Sequence, residues 1–324
     1  MTPSFSAAST ADDVLAGLDL TGKNVVVTAG HVGLGLETTR ALSRAGASVI
    51  VGSRDPERAA SALAGVERVE IGRLDLLDPG SIDAFAEGYL GSDRPLHVLV
   101  NGAGIMGGPL VRDARGYERQ FATNHLGHFQ LTLRLHPALR GGRVVNVSSE
   151  AHRAGGIRWD DPHFTAGYRP FLAYAQSKTA NILFAVELDR RWSDAGIRGY
   201  AVHPGMVVGT ELGSSMPADK AHETNRRMGL IDDAGNPVID PARDQKTPQQ
   251  GASTIVFAAT SPSLADAGGV YLKDNDVTSD VAPHAVDPRA AARLWDLSEQ
   301  LIASAGGSSV DAAEDTRVRG RDDR

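Results

Sequence analysis

Short apolar runs rich in Val and Ile recur along the chain, and helix-period segments separate them. The runs are Lys23 to Thr28, "SVIVGS", "RVEIGRLDL", "LHVLVNGAG", "GRVVNVSS", "IRGYAVHP" and "GGVYLKD". A run that is apolar at nearly every position has no polar face, so its strand must be covered on both sides. Intervening helices such as "LETTRALSRAGA" and "SIDAFAEGYL" supply that cover and carry the chain back for a parallel neighbour. The pattern predicts an α/β fold, a doubly wound parallel sheet in a single domain over residues 23–302. No internal repeat is visible.

Three pieces lie outside this alternation. Residues 1–22 form an N-terminal arm in which Thr10 stands three before Asp13, the spacing of a helix start. Residues 206–246 are polar and broken by Gly and Pro; a segment that long inside a compact domain is a lid or binding loop. Residues 303–324 are small and charged, the composition of a disordered tail. After the lid, Thr247 caps a new helix with Pro248 at its first position.

Several function classes fall away. A formal net charge of -7 argues against a nucleic-acid or anionic-membrane partner, which needs a basic face. With no cysteine, disulfides, thiolate metal sites and a cysteine nucleophile are excluded. No apolar run approaches the ~20 residues of a membrane span, and "MTPSFSAASTADD" lacks the pattern of a secretory signal, so a cytoplasmic location is expected. "GLDLTGKN" comes close to a nucleoside-triphosphate loop, but Asn24 replaces the magnesium-binding Ser or Thr and the stretch enters a strand instead of leaving one. There is no Gly-x-Ser-x-Gly elbow for a serine hydrolase. His125 and His128 are three apart on a helix, but no third ligand is placed to complete a metal site, and packing is the expected role.

In "VVVTAGHVGLG", Val25 to Gly35, the residues Gly30, Gly33 and Gly35 fall between the first strand and the first helix. A turn without side chains there lets a pyrophosphate approach backbone N–H groups and the positive end of the helix. The segment resembles the Thr-Gly-x-x-x-Gly-x-Gly fingerprint of the short-chain dehydrogenase/reductase family, with Thr28, Gly33 and Gly35 matching and Leu34 inside it. Ala29 stands where the fingerprint has its first glycine; either Gly30 next door restores the turn's freedom or the loop is reshaped.

Four further segments resemble the family in the family's order: "LVNGAG", "TNHLGHF", "RVVNVSS" with "AYAQSKTAN", and "YAVHPG". Tyr174 and Lys178 are four apart on a predicted helix and so share a face; they match the Tyr-x-x-x-Lys signature. A phenol with a pKa near ~10 needs a neighbouring positive charge to exchange a proton near neutrality, and Lys178 supplies one. The resemblance implies a Rossmann-type fold and an oxidoreductase that moves a hydride between nicotinamide and a carbonyl or alcohol. It casts Tyr174 as general acid/base, Ser149 as holder of the substrate oxygen, Lys178 as ligand of the nicotinamide ribose, and Asn124 as holder of a proton-relay water. Ser148 competes for the serine role; alignment to the strand end favours Ser149.

Cofactor choice is read after the second strand. Ser53 stands where an acidic residue would select NAD, and Arg54 follows with a guanidinium suited to a 2′-phosphate, so NADP(H) is favoured over NAD(H). By resemblance, Asp75 and Leu76 pack the adenine, and Asn101, Ala103 and Gly104 line the cofactor, with Gly102 replacing a common second Asn. Pro204, Gly205, Val207 and Thr210 resemble the loop at the carboxamide, in a stretch one residue longer than the commonest pattern. The insertion between Ser149 and Tyr174, 25 positions apart, resembles the retinol dehydrogenase and WW-domain oxidoreductase branch. Its Trp159, Phe164, Tyr168 and Phe171 either wall an apolar substrate site or anchor the insertion. A small carbonyl or alcohol of apolar character is the expected substrate. A homo-oligomer would pair through the helices of residues 116–139 and 171–195. Two alternatives stay open: a weakly catalytic dinucleotide sensor or scaffold of the same fold, and an epimerase-like or dehydratase relative acting on sugar nucleotides.

Overall fold

A computed structural model describes residues 5–207, 209–214 and 216–304; residues 305–324 of the expected tail lie outside them. After α1 (Ala11–Leu15), strands β1 (Asn24–Thr28), β2 (Ser48–Ser53) and β3 (Val69–Arg73) alternate with helices α2 (Gly33–Arg44), α3 (Pro56–Ala62) and α4 (Pro79–Leu90). Strand β4 (Val98–Asn101) leads to a continuous helical run of α5 (Arg119–Phe121), a π-helical turn over Ala122–Leu126 and α6 (Gly127–Leu135). Strands β5 (Arg143–Val147) and β6 (Arg198–His203) flank the long helix α7 (Pro170–Trp192). The segment expected to be a lid follows, with β7 (Met206–Val207), α8 (Ala218–Arg227) and β8 (Gln245–Lys246), and then α9 (Pro248–Thr260), β9 (Val270–Lys273), β10 (Asp276–Val277) and α10 (Pro288–Ala303).

The main sheet runs in the order β10-β9-β6-β5-β4-β1-β2-β3. Every pairing from β3 to β9 is parallel, and the order reverses between β1 and β4, which opens a crevice at the carboxyl ends of those strands. This is the Rossmann-type sheet that the alternation predicts, with one addition. β10 is antiparallel to β9. The two-residue turn between them has positive φ at both Asp274 (54°) and Asn275 (64°), the backbone of a tight hairpin.

Strand period divides the core. Val25 and Val27 of β1 face one layer with Leu42 of α2 and Ile255 of α9, while Val26 faces the other with Phe129, Phe184 and Trp295. The N-terminal arm joins the first layer: Thr10 and Asp13 form a reciprocal capping box on α1, and Ala11, Val14 and Leu15 are buried there. Thr247 and Gln250 form the same kind of box on α9. On the far side, Trp295 of α10 packs edge-on against Phe129 at 5.0 Å and Trp192 at 5.5 Å. The chain's own α10 thus covers part of the α6/α7 face named above for oligomer contacts. Among the described residues, no helix is long and apolar enough to cross a membrane.

Two histidines carry charge information about this core. Burial pushes His125 down to about 3 and His128 down to about 4, so both are neutral in the folded chain. An unfolded histidine binds its proton near ~6.5, so below that pH the unfolded state holds more protons and folding stability falls as pH falls. Each histidine is expected to add a slope of about 1.4 kcal/mol per pH unit between ~6.5 and its own lowered value. Urea titrations between pH 7 and pH 5 measure it, and His125→Phe should flatten the slope.

Candidate active site

The site is built from strand ends. Thr28 closes β1, and its Oγ1 accepts from the N–H groups of Gly102 and Ala103, each at 2.9 Å, across the gap to β4. The Thr28 hydroxyl also meets His128 Nε2 at 2.9 Å, and His128 Nδ1 lies 3.0 Å from the Asn124 carbonyl oxygen. A carbonyl only accepts, so Nδ1 carries the proton and Nε2 accepts from Thr28. The π-helical turn that contains Asn124 is tied to the glycine loop after β1 in this way. His128 is a tie-rod of the site, and no group of three metal-ligating side chains exists among the described residues.

Ala29 keeps the loop. Its φ is 54°, the left-handed region that a glycine normally occupies, so the turn retains its shape with an alanine in it. Gly30 does not take over that backbone role: it is required for packing, since a Cβ there would lie 2.6 Å from Thr39 Oγ1. A Cβ on Gly35 would lie 2.4 Å from the Ala29 carbonyl oxygen, so the helix can start this close to the loop only with glycine at 35. Helix α2 begins at Gly33, and Val32 before it offers no side-chain cap, leaving the first-turn N–H groups for a ligand. Leu34 on that helix and Val207 of the lid both close on Gly251 of α9.

At the end of β2, Ser53 Oγ bridges the Asp55 backbone and lies 3.4 Å from His31 Nε2. Asp55 is spent on capping α3, where it accepts from the Arg58 N–H. Arg54 is exposed and makes no ion pair among the described residues. After β3, Asp75 Oδ1 accepts from Leu77 N–H, and the buried Leu76 lies against α6 at Gly127. Asn101 ends β4 fully buried, donating to Asn146 of β5 at 2.8 Å and Thr132 of α6 at 3.2 Å.

The proton-bearing groups gather beside this crevice. Helix α7 presents Tyr174 and Lys178 on one face, with Lys178 Nζ 5.5 Å from the Tyr174 ring centre. Burial raises Tyr174 to about 12, opposed by a hydrogen bond from Ser149, and burial lowers Lys178 to about 8. Lys178 Nζ donates to the Val147 carbonyl at the end of β5, at 2.9 Å. The neighbouring serines divide: Ser148 donates to the Lys178 carbonyl at 2.8 Å, whereas Ser149 faces Tyr174 and accepts from the Ala151 N–H. The Asn124 side chain clamps Ile105, accepting from its N–H at 2.9 Å and donating to its carbonyl at 3.0 Å, and also donates to Ser177 Oγ. A Cβ on Gly104 would lie 3.5 Å from Lys178 Nζ and 3.6 Å from Asn124 Oδ1, so its absence keeps the space before both groups open.

The family model described as short chain dehydrogenase matches residues 23–221. A protein named "Probable oxidoreductase" from Streptomyces lividans is 42% identical over 307 residues, covering 89% of this chain and all of that one. The chain belongs to the short chain dehydrogenase family. Human "Retinol dehydrogenase 12" is 38% identical over 294 residues, covering 88% of each chain, and the zebrafish (Danio rerio) "WW domain-containing oxidoreductase" is 36% identical, covering 90% of this chain and 71% of that one. A solved structure from Mycobacterium paratuberculosis is similar at 35% identity and a TM-score of 0.71, covering 89% of this chain and 97% of that one. This short chain dehydrogenase is an oxidoreductase, and its family binds a nicotinamide dinucleotide.

Within that family frame the lid adds what the strand pattern could not show. Met206 and Val207 pair in parallel with Gln245 and Lys246, so both lid ends form one narrow ribbon beside Pro204 and Gly205. His203 Nε2 donates to Asp244 at 2.7 Å, and the fully buried Lys246 pairs with Asp274. Thr210 rests against Gly33, and the Leu212 carbonyl accepts from the Met106 N–H at 2.9 Å. Of the insertion's aromatics, Phe164 is buried against Tyr168 and Trp159 lies under Arg293 of α10, so these three anchor the insertion. Phe171 alone is exposed, at 55%, three residues before Tyr174. His31, His128, Arg58 and Glu211 carry no motif of their own; His128 was legible only as a helix-face histidine.

The left-handed alanine yields a stability test. Ala29→Gly relieves a conformation that costs an alanine about 1–2 kcal/mol, against about 0.4–1 kcal/mol of added unfolded-chain entropy. A net gain of about 0.5–1 kcal/mol in denaturant unfolding is expected, with dinucleotide affinity not reduced.

Proposed function

We propose that this chain is a cytoplasmic NADP(H)-dependent reductase or dehydrogenase acting on a ketone, aldehyde or alcohol of apolar character, with Tyr174 as its general acid/base. The observation that carries the reading is the buried Tyr174 phenol, hydrogen bonded to Ser149 with Lys178 beside its ring, at the mouth of a crevice whose phosphate-side Arg54 is exposed and makes no ion pair among the described residues. The chain's residues fit the dinucleotide: the uncapped start of α2 and the close approach at Gly35 suit the pyrophosphate, and Arg54 and Ser53 suit an adenosine 2′-phosphate. Thr28, Gly30, Gly33 and Leu34 shape the cradle, Asp75 and Leu76 flank the adenine, and Asn101, Ala103 and Gly104 with Pro204, Gly205, Val207 and Thr210 border the nicotinamide end.

A bound nicotinamide would supply or accept the hydride. Tyr174, held near 12, keeps its proton across the physiological range and can hand it to a carbonyl oxygen as that oxygen gains charge. Ser149 can turn its hydroxyl proton from the Tyr174 phenol to the same oxygen, since its Oγ lone pair already accepts from Ala151. Lys178 bears the positive charge that makes the resulting phenolate affordable, and loses it as pH rises through about 8. The Asn124 side chain is committed to Ile105 and Ser177, so a relay water would be held by its carbonyl, which keeps a second lone pair beside the His128 bond. Phe171 and the lid methionine Met216, which lies against Gly107, give the entrance its apolar character. The scaffold alternative rested on Ala29 and Gly102; Ala29 has the required φ, and Gly102 still donates to Thr28.

Two experiments test the proposal. Tyr174→Phe should lower carbonyl turnover by at least about 10²-fold while NADPH binding, read by fluorescence titration, stays within a few fold. Retained turnover would remove Tyr174 from the acid role. Arg54→Ala should weaken NADPH by about 1–3 kcal/mol and leave NADH nearly unchanged; equal losses would mean Arg54 does not read the phosphate.

A further inference from the structure

The lid tip reaches across the cofactor crevice and ends on the adenosine side. Thr210 lies over Gly33, and Leu212 is bonded to Met106 beyond β4 with its Cδ1 3.7 Å from a Cβ on Gly104. Between them Glu211 forms an ion pair with Arg58 of α3. Arg58 belongs to the phosphate side: Arg54, Asp55, Arg58 and Glu211 all act electrostatically on His31, the glycine-loop residue that approaches Ser53. Of the two carboxylates in that group, Asp55 accepts from the Arg58 backbone N–H, and among the described residues Glu211 is the carboxylate that pairs with the Arg58 guanidinium. Both side chains of the pair are about half exposed, at 53% and 50%.

We propose that Glu211 is a lid-borne latch that competes with the cofactor's 2′-phosphate for the Arg58 guanidinium, and so makes cofactor discrimination and lid position one equilibrium. The proposal rests on the NADP(H) reading above. A phosphate dianion can engage a guanidinium through two charge-assisted bonds and is the stronger partner. Once it takes Arg58, Glu211 faces a like charge at close range and its contribution to holding the lid tip reverses sign. A dinucleotide without the phosphate leaves the latch closed. Because an ion pair this exposed to water is weak, the latch yields to the phosphate.

The test uses adenosine 2′,5′-bisphosphate, which carries the phosphate without the nicotinamide, and 5′-AMP, titrated calorimetrically at low salt into the full chain. Glu211→Gln should tighten the bisphosphate about two- to five-fold and leave 5′-AMP unchanged, and the gain should vanish when Arg58→Leu is added. In the unaltered chain the bisphosphate, and not 5′-AMP, should speed tryptic cleavage after Lys220, Arg226 and Arg227 in the lid. A wild type that prefers the bisphosphate while Glu211→Gln changes nothing, or changes both ligands alike, overturns the latch and leaves the cofactor reading standing. Wild type and Glu211→Gln that both bind the two nucleotides equally overturn the cofactor reading and the latch together.

Discussion

Everything at this site hangs on one hydroxyl. Thr28 Oγ1 receives two N–H groups from the loop after β4 and gives its proton to His128, whose other nitrogen holds the Asn124 carbonyl. Three segments that the sheet order makes neighbours are thereby fixed at hydrogen-bond precision: the glycine loop after β1, the strand beside it across the switch point, and the π-helical turn. All three side chains are at most 1% exposed, so these bonds face no competition from water. The arrangement also demands a neutral His128. A protonated ring would turn an acceptor into a donor opposite the Thr28 hydroxyl, within reach of the Lys178 charge.

From that anchor the proton chemistry follows by burial. Tyr174 and Lys178 are pushed in opposite directions by the same loss of solvent, the phenol towards keeping its proton and the amine towards losing it. In the proposed acid/base reading, a protonated Lys178 beside the ring lowers the cost of forming the Tyr174 phenolate, which burial alone opposes.

Much of this was legible in the sequence, and the reasons differ by residue. Val/Ile density marks the inner parallel strands β1, β2, β4, β5 and β6 because burial on both faces leaves little room for polar positions, while the edge strand β3 tolerates Glu70 and Arg73. That Tyr174 and Lys178 share one face of α7 was legible because a four-residue spacing on a helix fixes it. Ala29 was ambiguous for a local reason: the sequence names the residue, but only backbone geometry shows that an alanine carries φ 54°. The β9–β10 hairpin escaped because Asp274 and Asn275 form its turn without glycine. Glu211 and Arg58 lie 153 positions apart, and no periodicity links a lid to a helix across the sheet edge. The insertion's aromatics left two readings open, and packing against Arg293 and within the insertion assigns three of the four to anchoring.

The ion pairs of the 206–246 segment differ in how firmly their dielectric holds them, the difference that the proposed latch would exploit. At the neck, Lys246 is fully buried against Asp274, and His203 is 2% exposed against Asp244. Separating such partners would strand a charge or a polar group away from water, so the ribbon of β7 and β8 stays closed. At the tip, Arg58 and Glu211 are half exposed and screened, and each can return to solvent at little cost. Thr210 over the glycine loop and Leu212 over Gly104 lie at the weakly held tip. If the proposed dinucleotide reading holds, a crevice that admits a cofactor and then excludes water needs that division, with strong electrostatics where the chain turns and weak electrostatics where it would let go.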